Sequence, residues 1–157
     1  MLKVSKQVSL ALSLVIAVFF FLCCIAGLFI LPRLTEMLID LPDNIGNRAA
    51  ITATGRVAVL IAAYCILADF MLADSLLFAL LLRVKRGLVF STATVSLIRG
   101  VSWCCIGLCG LFCFLGVYFQ LAFPVALMAL FLGLCLRVCK NAFEEATQIK
   151  QENDLTV

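Results

Sequence analysis

Four long apolar segments follow one another along the chain, separated by short polar segments. The first covers residues 8–31 and contains no charged side chain. At 1.5 Å per residue in a helix, a run of this length exceeds the hydrocarbon core of a bilayer, about 30 Å. The other three cover about residues 57–82, 101–119 and 121–138. The pattern predicts an all-α integral membrane protein, a single membrane domain with four transmembrane helices in a bundle.

Three polar segments connect or follow the predicted helices: an external loop at 33–56, a cytoplasmic loop at 83–100 and a cytoplasmic tail at 139–157. We expect Pro32 and Arg33 to end the first helix. Beyond them, apolar residues recur at helical spacing, with acidic side chains opposite (Leu34, Met37, Leu38 and Leu41 against Glu36 and Asp40). This pattern indicates either a separate amphipathic helix at the interface or a first helix that continues past the membrane.

Basic residues near the segment ends predict the orientation. Nine lie on one side: Lys3, Lys6, Arg83, Lys85, Arg86, Arg99, Arg137, Lys140 and Lys150. Three lie on the other: Arg33, Arg48 and Arg56. Cytoplasmic loops carry the excess of lysine and arginine in membrane proteins. We therefore expect both termini in the cytoplasm.

Composition narrows the function classes. Apolar residues make up 65% of the 157 residues and charged ones 13%, against about 45–50% and 25% in soluble domains. Histidine is absent, and the nine cysteines lie in or beside apolar segments rather than in a disulfide-rich loop. With no histidine to act as a base or a metal ligand, we expect no enzyme activity, no cofactor and no metal site. We also expect no direct binding of nucleic acid, because the net charge of +3 reports the orientation in the membrane.

Two carboxylates, Asp69 and Asp74, interrupt the second apolar segment. Five residues separate them by about 140° around a helix, so they are not expected to act as an acid/base pair. A charge at the bilayer centre costs at least ~2.5–3.5 kcal/mol, which marks Asp69 as a candidate proton, ion or cationic-partner site. The alternative is a protonated carboxyl that hydrogen-bonds a neighbouring helix.

Small side chains line the third apolar segment. Cys105, Cys109 and Cys113 recur every fourth residue, and a row of thiolates is a soft ligand set of the kind that holds Cu(I). Glycines at 107, 110 and 116 favour the other interpretation, close packing of membrane helices.

The cytoplasmic loop contains two features of interest. Arg83, Lys85 and Arg86 form a basic cluster that predicts contact with anionic lipid head groups. Ser91 suits the N-cap of a helix, with Phe90 and Val95 spaced for a hydrophobic staple. We therefore expect the third helix to begin in the cytoplasm, before it enters lipid. The tail, with its mixed charges, should extend the fourth helix, either to dock a partner or as a solvated end.

The cytoplasmic turn and the tail also carry a family resemblance. Gly87-Leu88-Val89-Phe90-Ser91, followed by Val95, Leu97, Arg99 and Ser102-Trp103, resembles a G-x-V-F-S/T…L-R-x-I-S pattern, and the chain ends Glu152-Asn153-Asp154-Leu155-Thr156-Val157. Together they resemble the bacterial domain-of-unknown-function family 2975. The resemblance implies a small four-helix protein of the bacterial inner membrane, with a small helix-turn-helix regulator often encoded beside it.

Two functional hypotheses follow. The first is a non-enzymatic binding or regulatory partner that acts through its cytoplasmic turn and tail, with docking candidates Phe90, Ser91, Arg99, Asp154, Leu155 and Val157. Its partners would be membrane lipids and a cytoplasmic protein such as that regulator. The second is a small transporter or ion- or proton-conducting protein that uses Asp69. Four helices are few for a solute pathway, so this hypothesis requires a homo-oligomer.

Overall fold

The described part of the protein consists of four α-helices. A computed structural model describes residues 6–40 and 53–155, and within them the elements are α1 (Lys6–Ile39), α2 (Ala53–Lys85), α3 (Thr92–Gly116) and α4 (Ala122–Leu155). All four are long and apolar enough to cross a membrane. The described part of the chain contains no β-strand, and the prediction of an all-α protein with four such helices is confirmed.

α1 continues past its predicted end. Pro32 lies inside the helix, so the expectation that Pro32 and Arg33 end it is wrong. Proline has no N–H to donate, which leaves the carbonyl of Leu28 without its helical donor. The hydroxyl of Tyr64 in α2 donates a long hydrogen bond of 3.5 Å to that carbonyl. Neighbouring helices commonly satisfy a carbonyl freed in this way. The residues up to Ile39 therefore extend α1 rather than form a separate interface helix.

α1 and α2 pack antiparallel through small side chains. Ala17 and Cys24 of α1 are buried, as are Val59 and Ala62 of α2. Near the far end of the pair, Arg56 and Asp40 form an exposed ion pair at 3.2 Å. The rest of the predicted external loop, residues 41–52, lies outside the described residues.

α3 and α4 form the tight antiparallel hairpin that their short connection predicts. Gly116 and Phe123 meet at the turn, where a Cβ atom on the glycine would lie 2.9 Å from the ring. Further along, a Cβ on Gly133 would lie 3.2 Å from the Cβ of Cys105. The buried hydroxyl of Ser102 donates to the carbonyl of Gly133 at 2.9 Å. Small residues thus allow the two backbones to approach.

Each helix packs against its neighbours in the chain: α1 on α2, α2 on α3 and α3 on α4. Within the described residues no other pair of helices packs together, so the prediction that the four helices pack as a bundle is not confirmed: each helix packs only on its neighbours in the chain. Only 6% to 22% of the most apolar window of each helix is buried inside the protein. The apolar surface therefore faces outward nearly all round, as lipid-exposed helices require.

Candidate functional site

The turn between α2 and α3 is fixed by caps at both ends. Gly87 adopts a left-handed φ of +75° after α2, a conformation that glycine reaches without a steric penalty. Ser91 is extended, and its side-chain oxygen accepts the N–H of Thr94 at 3.3 Å, which confirms the predicted N-cap. The hydroxyl of buried Thr94 donates to the carbonyl of Leu88 at 2.9 Å. The turn thus presents Phe90 in a defined place.

Phe90 connects this turn to α4. The sequence predicts Val95 as its staple partner. In the structure its ring lies against the ring of Phe143, with the ring centroids 6.1 Å apart. Aromatic rings at this separation attract one another beyond simple burial. The turn and the polar end of α4, two features predicted separately, therefore meet.

α4 remains helical well past its apolar part, as predicted for the tail. Residues 140–155, here called the α4 extension, lie along the first turns of α3. Glu144 forms ion pairs with Lys140 one turn earlier and with Arg99 of α3, the latter at 3.9 Å. Thr147 is only 4% exposed. The first part of the α4 extension, up to Thr147, therefore packs on the turn and on α3, whereas the side chains of residues 148–152 are exposed, as in the alternative of a solvated helix end.

A groove runs between the α4 extension and the start of α3. This polar groove has a volume of about 270 Å³. Its lining consists mainly of hydroxyl, amide and charged side chains: Thr92, Val95, Ser96, Arg99, Glu144, Thr147, Gln148 and Gln151. Side chains of this kind bind peptides and polar ligands by hydrogen bonds and ion pairs.

A second cavity of about 390 Å³ adjoins the polar groove and shares Arg99 with it. It is also lined by Arg137 and Lys140, which gives it a positive character. The guanidinium of Arg137 lies over the ring of Trp103, 4.8 Å from the ring centroid, a cation–π contact. Positive charge is thus concentrated at the end of the protein where the polar groove lies.

The remaining cytoplasmic candidates lie at helix ends. Arg83 and Lys85 occupy the last turn of α2, where positive charge interacts favourably with the helix dipole, and Arg86 follows as an exposed residue. Asp154 and Leu155 end α4, but their side chains, and the whole of Val157, lie outside the described residues. Contact of the basic cluster with lipid head groups stays a prediction.

Asp69 faces α3. Its Oδ1 would lie 3.8 Å from a Cβ atom placed on Gly107, and its carboxyl hydrogen-bonds the thiol of Cys104. Its Oδ2 is buried without a hydrogen-bond partner in the described structure. The carboxyl thus contacts a neighbouring helix through one oxygen and leaves the other unsatisfied.

Asp74 faces the opposite neighbour. It is 7% exposed and lines two apolar clefts that it shares with Ala17 of α1. One carboxyl is therefore directed to α3 and the other to α1, in line with the angle that separates them on α2. The sequence singled out Asp69 and gave Asp74 less weight, yet Asp74 has the smaller exposed fraction of the two.

The cysteines are all free thiols. In the part of the chain that the structure describes, no three side chains of His, Cys, Asp or Glu are grouped so that they could hold a metal ion. Cys105 instead lies against Gly133 in the α3–α4 contact, which agrees with the interpretation that the small side chains of this segment allow close helix packing. Sequence reasoning missed Phe143 and Glu144, although both are distinctive: Phe143 is the single aromatic residue of the tail, and Glu144 follows Lys140 by one helical turn.

The architecture defines a class: a small all-α protein whose four helices suit a multi-pass membrane protein. Within that class, the sequence model described as "Protein of unknown function (DUF2975)" matches residues 44–157. The chain belongs to this family, and the resemblance noted from its sequence is confirmed. No curated protein and no solved structure matches the chain.

Proposed function

We propose that this chain is a multi-pass protein of the bacterial inner membrane, with both termini in the cytoplasm, and that it binds a cytoplasmic protein in the polar groove. It acts as a non-enzymatic binding or regulatory partner. The side chains at the groove favour recognition over catalysis, because they offer donors, acceptors and charges without a nucleophile beside a base.

The basic residues support this orientation. The polar groove lies at the same end of the helices as Arg83, Lys85 and Arg86, and this is the end that the positive-inside rule assigns to the cytoplasm. A fusion of green fluorescent protein to the C-terminus should fluoresce, and a fusion of alkaline phosphatase there should be inactive. The reverse result would contradict the orientation.

The observation that carries the proposal is the packing of the α4 extension. A helix that only needed to leave the membrane would end soon after its apolar part. Here it continues to Leu155, and it is held on the turn by Phe143 and on α3 by Glu144. The result is a shaped polar surface beyond the apolar part of the helices, built from the turn and tail, both of which lie within the residues that the family model matches.

Affinity purification from the native host under gentle detergent tests the proposal. The wild-type protein should retain a soluble partner, for which the small helix-turn-helix regulator is the first candidate. Gln148→Trp fills the polar groove and should release the partner. Ala142→Trp adds the same bulk on an exposed position of α4 outside the groove, and should retain it. Absence of any partner, or equal retention by both variants, would contradict the proposal.

The unsatisfied Oδ2 of Asp69 favours a second candidate function, a proton- or ion-conducting oligomer. An unpaired carboxyl oxygen inside a membrane protein marks an ion or proton pathway. Proteoliposomes loaded with a pH-sensitive dye should then acidify faster with the wild-type protein than with Asp69→Asn. If the two proteins show the same flux and the same oligomeric state, this candidate is lost.

A further inference from the structure

The seam between α1 and α2 contains a carboxyl group that the proposed function does not use. Asp74 is 93% buried, since its exposed fraction is 7%. None of the described hydrogen bonds or ion pairs involves its carboxyl, and, unlike Oδ2 of Asp69, neither of its oxygens is completely enclosed by the protein. Buried polar groups normally have hydrogen-bond partners. An unpartnered carboxyl in an apolar seam therefore points to a ligand that would supply one.

Two clefts flank this carboxyl, one on each side of the seam. Their volumes are about 310 and 510 Å³, and a volume of a few hundred Å³ is typical of small-molecule sites. Phenyl rings line both: Phe21 and Phe78 the smaller, Phe20 and Phe70 the larger. Each cleft is otherwise apolar except for Asp74 and one serine. The small side chain of Ala17 opposite Asp74 leaves this space open.

We propose that the seam binds a lipophilic organic cation, of the quaternary ammonium or phosphonium type. Asp74 provides the counter-charge, and the phenyl rings provide apolar contact and cation–π attraction. The geometry fits this class because a single carboxyl lies among aromatic rings in a cleft that opens sideways. The ligand would enter from the lipid.

Other sources of positive charge fit the seam less well. Asp74 lies eight residues before Leu82, about 12 Å along the helix, so a lipid head group at the membrane surface would not reach it. A second copy of this chain offers no deep cation, because the segments 8–31, 57–82, 101–119 and 121–136 contain neither lysine nor arginine. A free cationic compound is the partner that remains.

Equilibrium dialysis of the full chain in detergent against radiolabelled tetraphenylphosphonium tests the proposal, with protein-free micelles as the blank. We expect saturable binding of this cation, and no saturable binding of radiolabelled tetraphenylborate, an anion of the same shape, when it is dialysed separately. Asp74→Asn should weaken binding at least tenfold, while Glu36→Gln, which removes an exposed carboxylate of α1 outside both clefts, should leave it unchanged. Non-saturable uptake, or equal affinity in wild type and Asp74→Asn, would overturn the proposal.

A steric variant keeps the test decisive if Asp74→Asn does not fold, as judged by gel filtration and circular dichroism. Ala73 lines the larger cleft beside Asp74, so Ala73→Leu narrows that cleft and leaves the carboxyl in place. We expect at least a tenfold loss of affinity for tetraphenylphosphonium. Unchanged affinity in this folded variant would also overturn the proposal.

Discussion

Gly133 lies at the interface of α3 and α4, where there is no room for a side chain. A Cβ atom there would lie 3.2 Å from the Cβ of Cys105 and 3.3 Å from Cγ1 of Ile106, closer than the preferred separation of about 3.5–4.0 Å between carbons. It would also lie 3.4 Å from the backbone oxygen of Ser102. Gly133→Leu therefore forces α3 and α4 apart.

The cost of Gly133→Leu has three parts. Overpacking costs about 1–3 kcal/mol, and loss of the hydrogen bond from Ser102 costs about 0.6–1.7 kcal/mol in a membrane protein. Replacing a glycine inside a helix returns up to about 1 kcal/mol. The free energy of unfolding should thus fall by about 1–4 kcal/mol in total.

Reversible unfolding by sodium dodecyl sulfate, followed by far-ultraviolet circular dichroism in bicelles, measures this loss. Gly110→Leu is the matched control, because a Cβ atom at Gly110 would meet nothing within 4 Å. We expect the control to unfold at or above the wild-type detergent concentration. If both variants unfold at the same concentration, α3 and α4 do not pack in the register described, and the reasoning fails.

Two further changes test individual hydrogen bonds by the same unfolding measurement. Ser102→Ala should lower the free energy of unfolding by about 0.6–1.7 kcal/mol, whereas Ser75→Ala, which removes a bond within α2 only, should cost less; equal losses would contradict the interhelical role of Ser102. Ser91→Ala should cost about 1 kcal/mol because the N-cap of α3 is lost, and Ser91→Gly only a few tenths. The prediction fails if the glycine variant is as unstable as the alanine variant.

The features that could be predicted from the sequence are those set by nearby residues. Apolar run length predicts four helices, and the preference of serine for N-caps predicts the start of α3 at Ser91. Mixed charge in the tail predicts a continued helix, and α4 indeed reaches Leu155. Each of these depends on the chemistry of a few consecutive residues, which a single sequence contains in full.

The features that were missed depend on residues far apart in the chain. Pro32 does not end α1. The carbonyl that loses its helical donor there accepts a hydrogen bond from the hydroxyl of Tyr64 in the next helix. The burial of Asp74 depends on which side of α2 meets α1. Periodicity cannot indicate that side in a helix that is apolar nearly all round, because an amphipathic pattern requires one polar face. Phe143 was missed for a similar reason, since its partner Phe90 lies far away in the sequence, in the connection between α2 and α3.

The two proposed sites have no lining residue in common, although α3 contributes to both. The polar groove belongs to α3 and α4, inside the region matched by the family, whereas one wall of the seam at Asp74 belongs to α1, which ends before residue 44 where that match begins. A ligand at one site changes the affinity of the other site only if it binds two conformational states of a shared element with different affinities. The described helices are in contact only with their chain neighbours, and Val101 of α3 lines the larger cleft, so such coupling would have to pass through α3. Because neither proposal requires two states there, Asp74→Asn should retain the cytoplasmic partner and Gln148→Trp should retain tetraphenylphosphonium.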